Sequence, residues 1–282
     1  ISLSTRQRRI GKTFRRDRCA AELGCEVPCY SPLEGYVSKE NGGLTFRREQ
    51  SAGQKMAVGC GSCLGCRLDR SRMWAMRCVH ESSLHEFDQG NCFITLTYDD
   101  DHIPAGWTLV KSHFSGFMKR LRWHFPQKIK FYMAGEYGNK CMHIPAGSDL
   151  GVKACDQCNV GRPHYHAILF NCSFDDLSAV GQSRGEPIYS SPTLERIWGQ
   201  GMVTVGDVTF ESCAYVARYV TKKVTGNLAH DWYMRISDDG DCFWVEPEYN
   251  SMSRGARKGA KGIGAEWYEK YKTDLWPSDE VP

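Results

Sequence analysis

No stretch of the 282-residue chain is apolar for long enough to span a bilayer, and no secretory hydrophobic segment follows its basic beginning. A soluble protein in a reducing compartment is therefore expected. G-x-x-x-x-G-K-[ST] is absent, so neither a nucleotide-driven motor nor a nucleotide cofactor is expected. No repeat period is visible, which excludes solenoids and propellers. An initiating Met is missing as well, and the natural start is expected upstream of Ile1. Net charge is low, at only +3.

That small net charge conceals clusters. Residues 6–18 hold seven Lys or Arg against Asp17, and Lys111 to Lys130 holds six with no acid. A third group, Arg254, Arg257, Lys258 and Lys261, lies in the Gly-rich "SRGARKGAKGIG". Solvated faces or tails account for any one of them. Together they fit a polyanionic partner, because each cation laid on a phosphate releases counterions.

Fourteen cysteines would suggest disulfides in an exported protein, but their spacing suggests metal ligation. "CGSCLGC" supplies Cys60, Cys63 and Cys66, and Cys29 in "VPCY" is the candidate fourth ligand of a structural zinc joining the N-terminal region to the following helix. An iron–sulfur cluster is the rival, although the fourth Cys-Pro of that pattern is missing; free thiols are the other alternative. Cys141, His143, Cys155 and Cys158 form a second candidate zinc set.

Periodicity divides the chain into 1–66, a basic, Cys-rich and mostly irregular extension; 67–235, the core, with a polar Cys-containing insertion at about 138–161; and 236–282, a basic Gly-rich segment with a short helix. Within the core, 66–87 reads as a helix and "NCFITLTYDD" as a strand placing Phe93, Thr95 and Thr97 on one face. A helix with the stripe Phe114, Phe117, Met118, Leu121 and Phe125 follows, then the strand "KIKFYMAGEYG" and the strand "PHYHAILF". "SPTLERIWG" is a short helix with Ser191 as N-cap and Gly199 as stop. The strand "MVTVGDVTF" and the helix "ESCAYVARYVTKKV" complete the core. This order predicts an α+β fold with a mainly antiparallel sheet covered by helices on one face.

In "GRPHYHAILF" the strand period points His164 and His166 to one side and Tyr165 to the other, as a packing residue. Two histidines satisfied by hydrogen bonds at a strand edge would explain that much. Glu136, at the end of the preceding strand, adds a carboxylate if the strands pair, and two imidazoles with a carboxylate suit Mg²⁺ or Mn²⁺. Downstream, Tyr215 and Tyr219 share a helix face that Lys222 and Lys223 extend. A tyrosine of pKa near 10 is only about 0.1% ionised at neutral pH. The metal would activate the phosphodiester, a lysine would stabilise the phenolate, and the product would be a phosphotyrosine ester that keeps the bond energy for rejoining. Arg120, Arg122 and Arg218 are the residues expected to bind the DNA.

These motifs resemble the HUH endonucleases, and more narrowly the replication initiation proteins of gokushovirus-type microviruses. The resemblance runs in order through "VPCYSPLEGY", "CGSCLGCRLDRSRMWAMRCVHE", "FITLTYDD", "GEYG", "RPHYHAILF", "YVARYVTKK" and "MSRGARKGAKGIGAEWYEKY". It implies a ferredoxin-like, RRM-related core and rolling-circle initiation. The enzyme would nick single-stranded viral DNA at the origin, keep the 5′ phosphate, leave a 3′ hydroxyl for the host polymerase, and later religate a circle. His164, His166 and Glu136 would be the metal ligands and Tyr215 and Tyr219 the nucleophiles. Host polymerase and helicase would be partners, and the host bacterial cytoplasm the setting. Two departures stand out: the Arg254–Lys261 segment is longer than the family pattern, and the insertion replaces a short link, which puts the approach of Glu136 to the histidines at issue. The competing readings are a non-catalytic, zinc-stabilised DNA-binding module and an HUH relaxase or transposase.

Overall fold

The computed structural model describes residues 29–138, 161–183, 185–236, 240–255, 259 and 261–275, with main chain alone at 220–222 and 275. The chain divides into two compact units, Ile1–Asp69 and Arg70–Pro282. No helix among the described residues is long and apolar enough to cross a membrane.

In the first unit, the region expected to be irregular forms a three-stranded antiparallel sheet. Strand β1 (Leu33–Ser38) lies between β2 (Leu44–Thr45) and β3 (Ser51–Val58). The hydrophobic alternation that would announce these strands is weak, since most of their residues face solvent. Tight backbone approach is required at Gly35, where a Cβ would lie 2.6 Å from Leu44 Cδ1. Helix α1 (Leu64–Ser82) begins in this unit.

The second unit is built on a seven-stranded sheet. Its strands are β4 (Asn91–Thr97), β5 (Lys130–Tyr137), β6 (Pro163–Phe170), β7 (Ser178–Ser183), β8 (Glu186–Ser190), β9 (Val203–Gly206) and β12 (Tyr249–Met252), in the order β12-β5-β6-β4-β9-β8-β7. Every pairing in it is antiparallel. Helix α2 (Lys111–His124) connects β4 to β5, and α3 (Pro192–Trp198) precedes β9. Taking β4-α2-β5-β6-α3-β9 alone gives the βαββαβ order with sheet arrangement β5-β6-β4-β9, the ferredoxin-like topology. The large antiparallel sheet of an α+β fold is thus present as expected. Strands β10 (Met234–Ile236) and β11 (Cys242–Trp244) form a separate hairpin after the short helix α5 (Ala229–Tyr233).

One difference concerns the faces. Odd-numbered residues of β6 (Tyr165, Ala167, Leu169) and even-numbered residues of β4 (Ile94, Leu96) pack with Phe114, Phe117, Met118 and Leu121 of α2 and with Leu194, Ile197 and Trp198 of α3. These are the two helices of the ferredoxin-like core, and they do lie on one face. The other face is also covered: Ile168 and Phe170 of β6 and Tyr132 and Ala134 of β5 pack with Ala75 and Cys78 of α1, and with Cys213, Val216 and Ala217 of helix α4 (Phe210–Lys222). Strands apolar on both faces require two helical layers, because each fully buried aliphatic or aromatic side chain contributes about 1.5–3 kcal/mol.

The C-terminal segment from 236 belongs to this unit rather than standing apart. β12 pairs with β5, and helix α6 (Ala265–Leu275) is anchored by a buried charge network. Lys130 Nζ lies 2.7 Å from Glu81 Oε1 and 2.9 Å from Glu266 Oε2, and Gly264 N donates to Glu81 Oε2 at 2.8 Å. His80 stacks on Trp267 at 3.7 Å, and Arg77 Nε donates to the Ile263 carbonyl at 3.0 Å.

Candidate active site

Glu136 and the histidines meet because β5 and β6 keep their register across the insertion. Glu136 stands directly opposite His164, and the hairpin is closed at its base by Gly138 N donating to Arg162 O at 3.1 Å and Gly161 N to Gly138 O at 2.7 Å. The insertion therefore does not separate the carboxylate from the imidazoles. Strand alternation puts His166 on the same face as His164. Glu136 Oε1 lies 2.9 Å from Nε2 of His164 and 2.9 Å from Nε2 of His166, and one ligand atom from each residue lies within 4.8 Å of the others.

The far nitrogens of both rings are also held. His164 Nδ1 lies 3.1 Å from the Arg162 carbonyl, and His166 Nδ1 lies 3.0 Å from Thr95 Oγ1 on β4, where Thr95 pairs with His166. The carbonyl can only accept, so His164 Nδ1 carries the proton. In a neutral ring Nε2 is then a bare lone pair facing a carboxylate, an arrangement that a cation between them resolves. The donor set of two imidazole nitrogens and one carboxylate oxygen therefore fits a divalent ion. Glu136 is only 3% exposed. Burial works to raise its pKa, but the contacts with His164 and His166 outweigh that and hold it at about 2.

Helix α4 brings the tyrosines to this face. A reciprocal capping box starts it: Thr209 N donates to Ser212 Oγ at 2.9 Å and Ser212 N to Thr209 Oγ1 at 3.2 Å. Cys213, Val216 and Ala217 then bury against the sheet. Tyr215 and Tyr219, one turn apart, meet at 4.9 Å between ring centroids. Both contact His166: Tyr219 stacks nearly parallel at 5.6 Å, and Tyr215 presents an edge at 5.1 Å. Phe93 stacks on the same imidazole at 5.7 Å. Tyr219 is 2% exposed and belongs to the buried cluster, while Tyr215 is half-buried. Tyr165 points the other way, as expected for a packing residue. Its hydroxyl is 2.9 Å from Tyr98 Oη and donates to Val110 O at 2.9 Å, and burial raises its pKa.

Other expected site residues fare differently. Lys223 is exposed past the end of α4, while the side chain of Lys222 lies outside the described residues. Arg218 is exposed on α4, its Nε donating to Ala214 O at 3.2 Å. Arg120 and Arg122, expected at the DNA, are on α2, which packs on the sheet face opposite the histidines. Arg120 closes the end of α3, donating to Ile197 O at 2.7 Å and Trp198 O at 2.8 Å. Arg122 donates to Ile129 O at 3.1 Å and covers the Phe131 ring, and burial lowers its pKa. Satisfying main-chain carbonyls is what these two guanidinium groups do here. Cys29, Cys60, Cys63 and Cys66 converge in the first unit. Cys141, His143, Cys155 and Cys158 lie outside the described residues.

Two contributors to the site are not among the residues expected from sequence. Thr95 lies on the face that strand periodicity gives it, but a threonine in a strand carries no signal of a histidine partner. Arg162 sits within "GRPHYH" beside the histidines; its carbonyl fixes His164, and its guanidinium bonds Tyr98 O at 2.9 Å and pairs with Asp100. Its place next to the motif is the one signal that could have found it.

Comparison with known proteins gives a consistent set of relatives. A family of replication-associated proteins of the ORF2 type matches residues 91–144 and 156–224, breaking within the insertion. The chain is 31% identical over 234 residues to the "Replication-associated protein ORF2" of Spiroplasma virus 4, covering 80% of this chain and 61% of that protein. It is 32% identical over 224 residues to the "Replication-associated protein VP4" of Bdellovibrio phage phiMH2K, covering 76% and 58%. With the "Replication-associated protein ORF4" of Chlamydia phage 1 the identity is 34% over 173 residues, covering 58% and 38%. The chain thus spans about three fifths or less of the length of these relatives. No solved structure matches it significantly.

Proposed function

The chain belongs to this family of replication-associated proteins, and we propose that it initiates replication of a phage genome by nicking one DNA strand through a tyrosine ester. The observation that carries this reading is the packing of both tyrosine rings on His166, an imidazole whose Nε2 is 2.9 Å from Glu136. Two nucleophile candidates thus share one wall with a metal-ligand set.

Glu136, His164 and His166 would hold Mg²⁺ or Mn²⁺. When bound, that ion withdraws charge from a non-bridging phosphate oxygen. A tyrosine Oη attacks phosphorus as its proton leaves, the bond from phosphorus to the 3′ oxygen breaks, and that oxygen departs as a 3′ hydroxyl. The 5′ phosphate stays on the tyrosine. In the reverse step a 3′ hydroxyl attacks the phosphotyrosine and frees the phenol, rejoining the strand. The greater exposure of Tyr215 supports it as the first nucleophile, with Tyr219 serving a second transfer while the first remains occupied. Lys222 and Lys223, at the end of the same helix, and Arg218 are the proposed contacts to the DNA backbone and the developing charge. The setting would be the bacterial host cell, with host polymerase extending the 3′ end.

The test is incubation with labelled single-stranded origin DNA and Mn²⁺, followed by denaturing electrophoresis. A covalent protein–DNA adduct is expected from the wild type and none from the Tyr215→Phe/Tyr219→Phe double variant. An adduct that survives the double substitution, or no adduct with any divalent ion, refutes the mechanism and favours a non-catalytic DNA-binding module.

A further inference from the structure

We propose that Cys29, Cys60, Cys63 and Cys66 form a tetrahedral structural zinc site in the first unit, independent of the nicking site. The four cysteines come from separated parts of the chain: Cys29 precedes β1, Cys60 and Cys63 follow β3, and Cys66 is in the first turn of α1. Their sulfur atoms all lie within 4.8 Å of one another, and Sγ of Cys63 and Cys29 are 3.7 Å apart. Thiolates about 2.3 Å from one tetrahedral zinc are about 3.8 Å from each other, so the observed separation is that of ligands sharing a single ion. It is far longer than the roughly 2.05 Å of a disulfide. A multi-iron cluster would interpose a cage of several atoms and spread the sulfurs further.

The backbone around the sulfurs is arranged for thiolates. Cys60 N donates to Cys29 Sγ at 3.3 Å, Cys63 N to Cys60 Sγ at 3.3 Å, and Cys66 N to Cys63 Sγ at 3.4 Å. The Ser62 hydroxyl adds a contact to Cys60 Sγ at 3.6 Å. Each N–H directed at a sulfur favours its negatively charged form, the form that binds metal. Cys66 also sits where the positive end of a helix dipole favours an anion.

A second, unrelated observation points the same way. Among the described residues of this unit, Ala57 is the one buried hydrophobic side chain, while Leu33, Leu44, Phe46 and Leu64 are exposed. A sheet with strands of six, two and eight residues and almost no core needs another source of stability. A tetrathiolate zinc provides it by linking the start of the sheet, its end and the first turn of α1.

The test uses the full chain purified without chelator or added metal. Elemental analysis is expected to find about one tightly held zinc per chain. Titration with a mercurial thiol reagent should release it in step with about four thiols. Replacement by Co²⁺ should give the intense charge-transfer absorption of a thiolate-bound ion. The Cys63→Ser variant should lose the zinc, whereas Glu136→Ala should keep it, which separates this site from the nicking site. Should Cys63→Ser fail to fold, the thiol titration and the cobalt spectrum of the wild type still decide. Zinc absent from the wild type with freely reactive thiols, iron in place of zinc, or full zinc retention by Cys63→Ser each overturns the proposal.

Discussion

Thr95→Val isolates the support given to the metal ligands from the ligands themselves. Thr95 Oγ1 is the partner of His166 Nδ1 at 3.0 Å, so the substitution removes one hydrogen bond while keeping the shape of the side chain. Valine is at home in a strand, and Thr95 is half-buried, so the sheet is expected to stay intact. The lost bond is worth about 1 kcal/mol to folding. Its larger effect is on the imidazole, which loses both its orientation and the group that sets its tautomer. Groups that orient metal-bound histidines typically contribute about 10–100-fold in metal affinity, or about 1.4–2.8 kcal/mol. The assay is adduct formation on origin DNA as a function of Mn²⁺ concentration. Half-saturation is expected to rise about 10–100-fold, with the plateau at saturating Mn²⁺ close to wild type. Thr97→Val is the control: Thr97 stands opposite His164, whose Nδ1 is held by the Arg162 carbonyl instead. An unchanged half-saturation, or a reduced plateau at unchanged half-saturation, refutes the assignment of Thr95 as a positioning residue.

Two further perturbations test the second unit. Lys130→Met leaves Glu81, fully buried, without its cation, and breaking such a pair costs about 3–5 kcal/mol. Urea unfolding should show a correspondingly lower midpoint, and hydrogen exchange should show lost protection in Ala265–Leu275; an effect below about 1 kcal/mol would contradict a buried pair. The second concerns pH in metal-free buffer. The folded-state pKa of Glu136, about 2, lies below its ordinary 4.5, so its contribution is fully present above the ordinary value and is lost as pH falls from there through about 2. A shift of this size corresponds to roughly 3 kcal/mol. Glu136→Gln should therefore flatten the acid side of the stability curve, and parallel curves for the two proteins would refute it.

Much of this site is legible in the sequence because it rests on short periods. The i, i+2 spacing of His164 and His166 and the i, i+4 spacing of Tyr215 and Tyr219 each fix a shared face once the element type is known. Ser191 and Gly199 likewise mark the ends of α3, where the structure has a side-chain cap and a left-handed glycine. What the sequence hides are partnerships across long separations. Nothing local distinguishes Lys130 as a buried partner of Glu81 and Glu266, or Arg120 as the residue closing α3 from a guanidinium free to meet phosphate. A charge cluster reads the same whether its members face solvent or reach back to carbonyls. The three strands of the first unit are hidden for another reason: a sheet with almost no buried side chains leaves no alternating pattern to read.

Glu136 reaches the histidines because register, not loop length, places it. Tyr165, Ala167 and Leu169 occupy the core on one face, and Ile168 and Phe170 the core on the other. A slip of β6 by one residue would exchange these sets and turn both histidines away from Glu136. The core thus enforces the pairing of Glu136 with His164 whatever joins the strands. Lengthening the connection acts only through closure entropy, about 0.6 kcal/mol for each doubling. Against that, the seven-stranded sheet supplies hydrogen bonds and packed side chains along the whole length of both strands. The hairpin base formed by Gly138, Gly161 and Arg162 confines the disturbance to what lies beyond it. An insertion at this position can therefore grow or shrink with little effect on the metal-ligand set, which is consistent with the family match breaking within 145–155 and resuming ahead of the strand that carries the histidines.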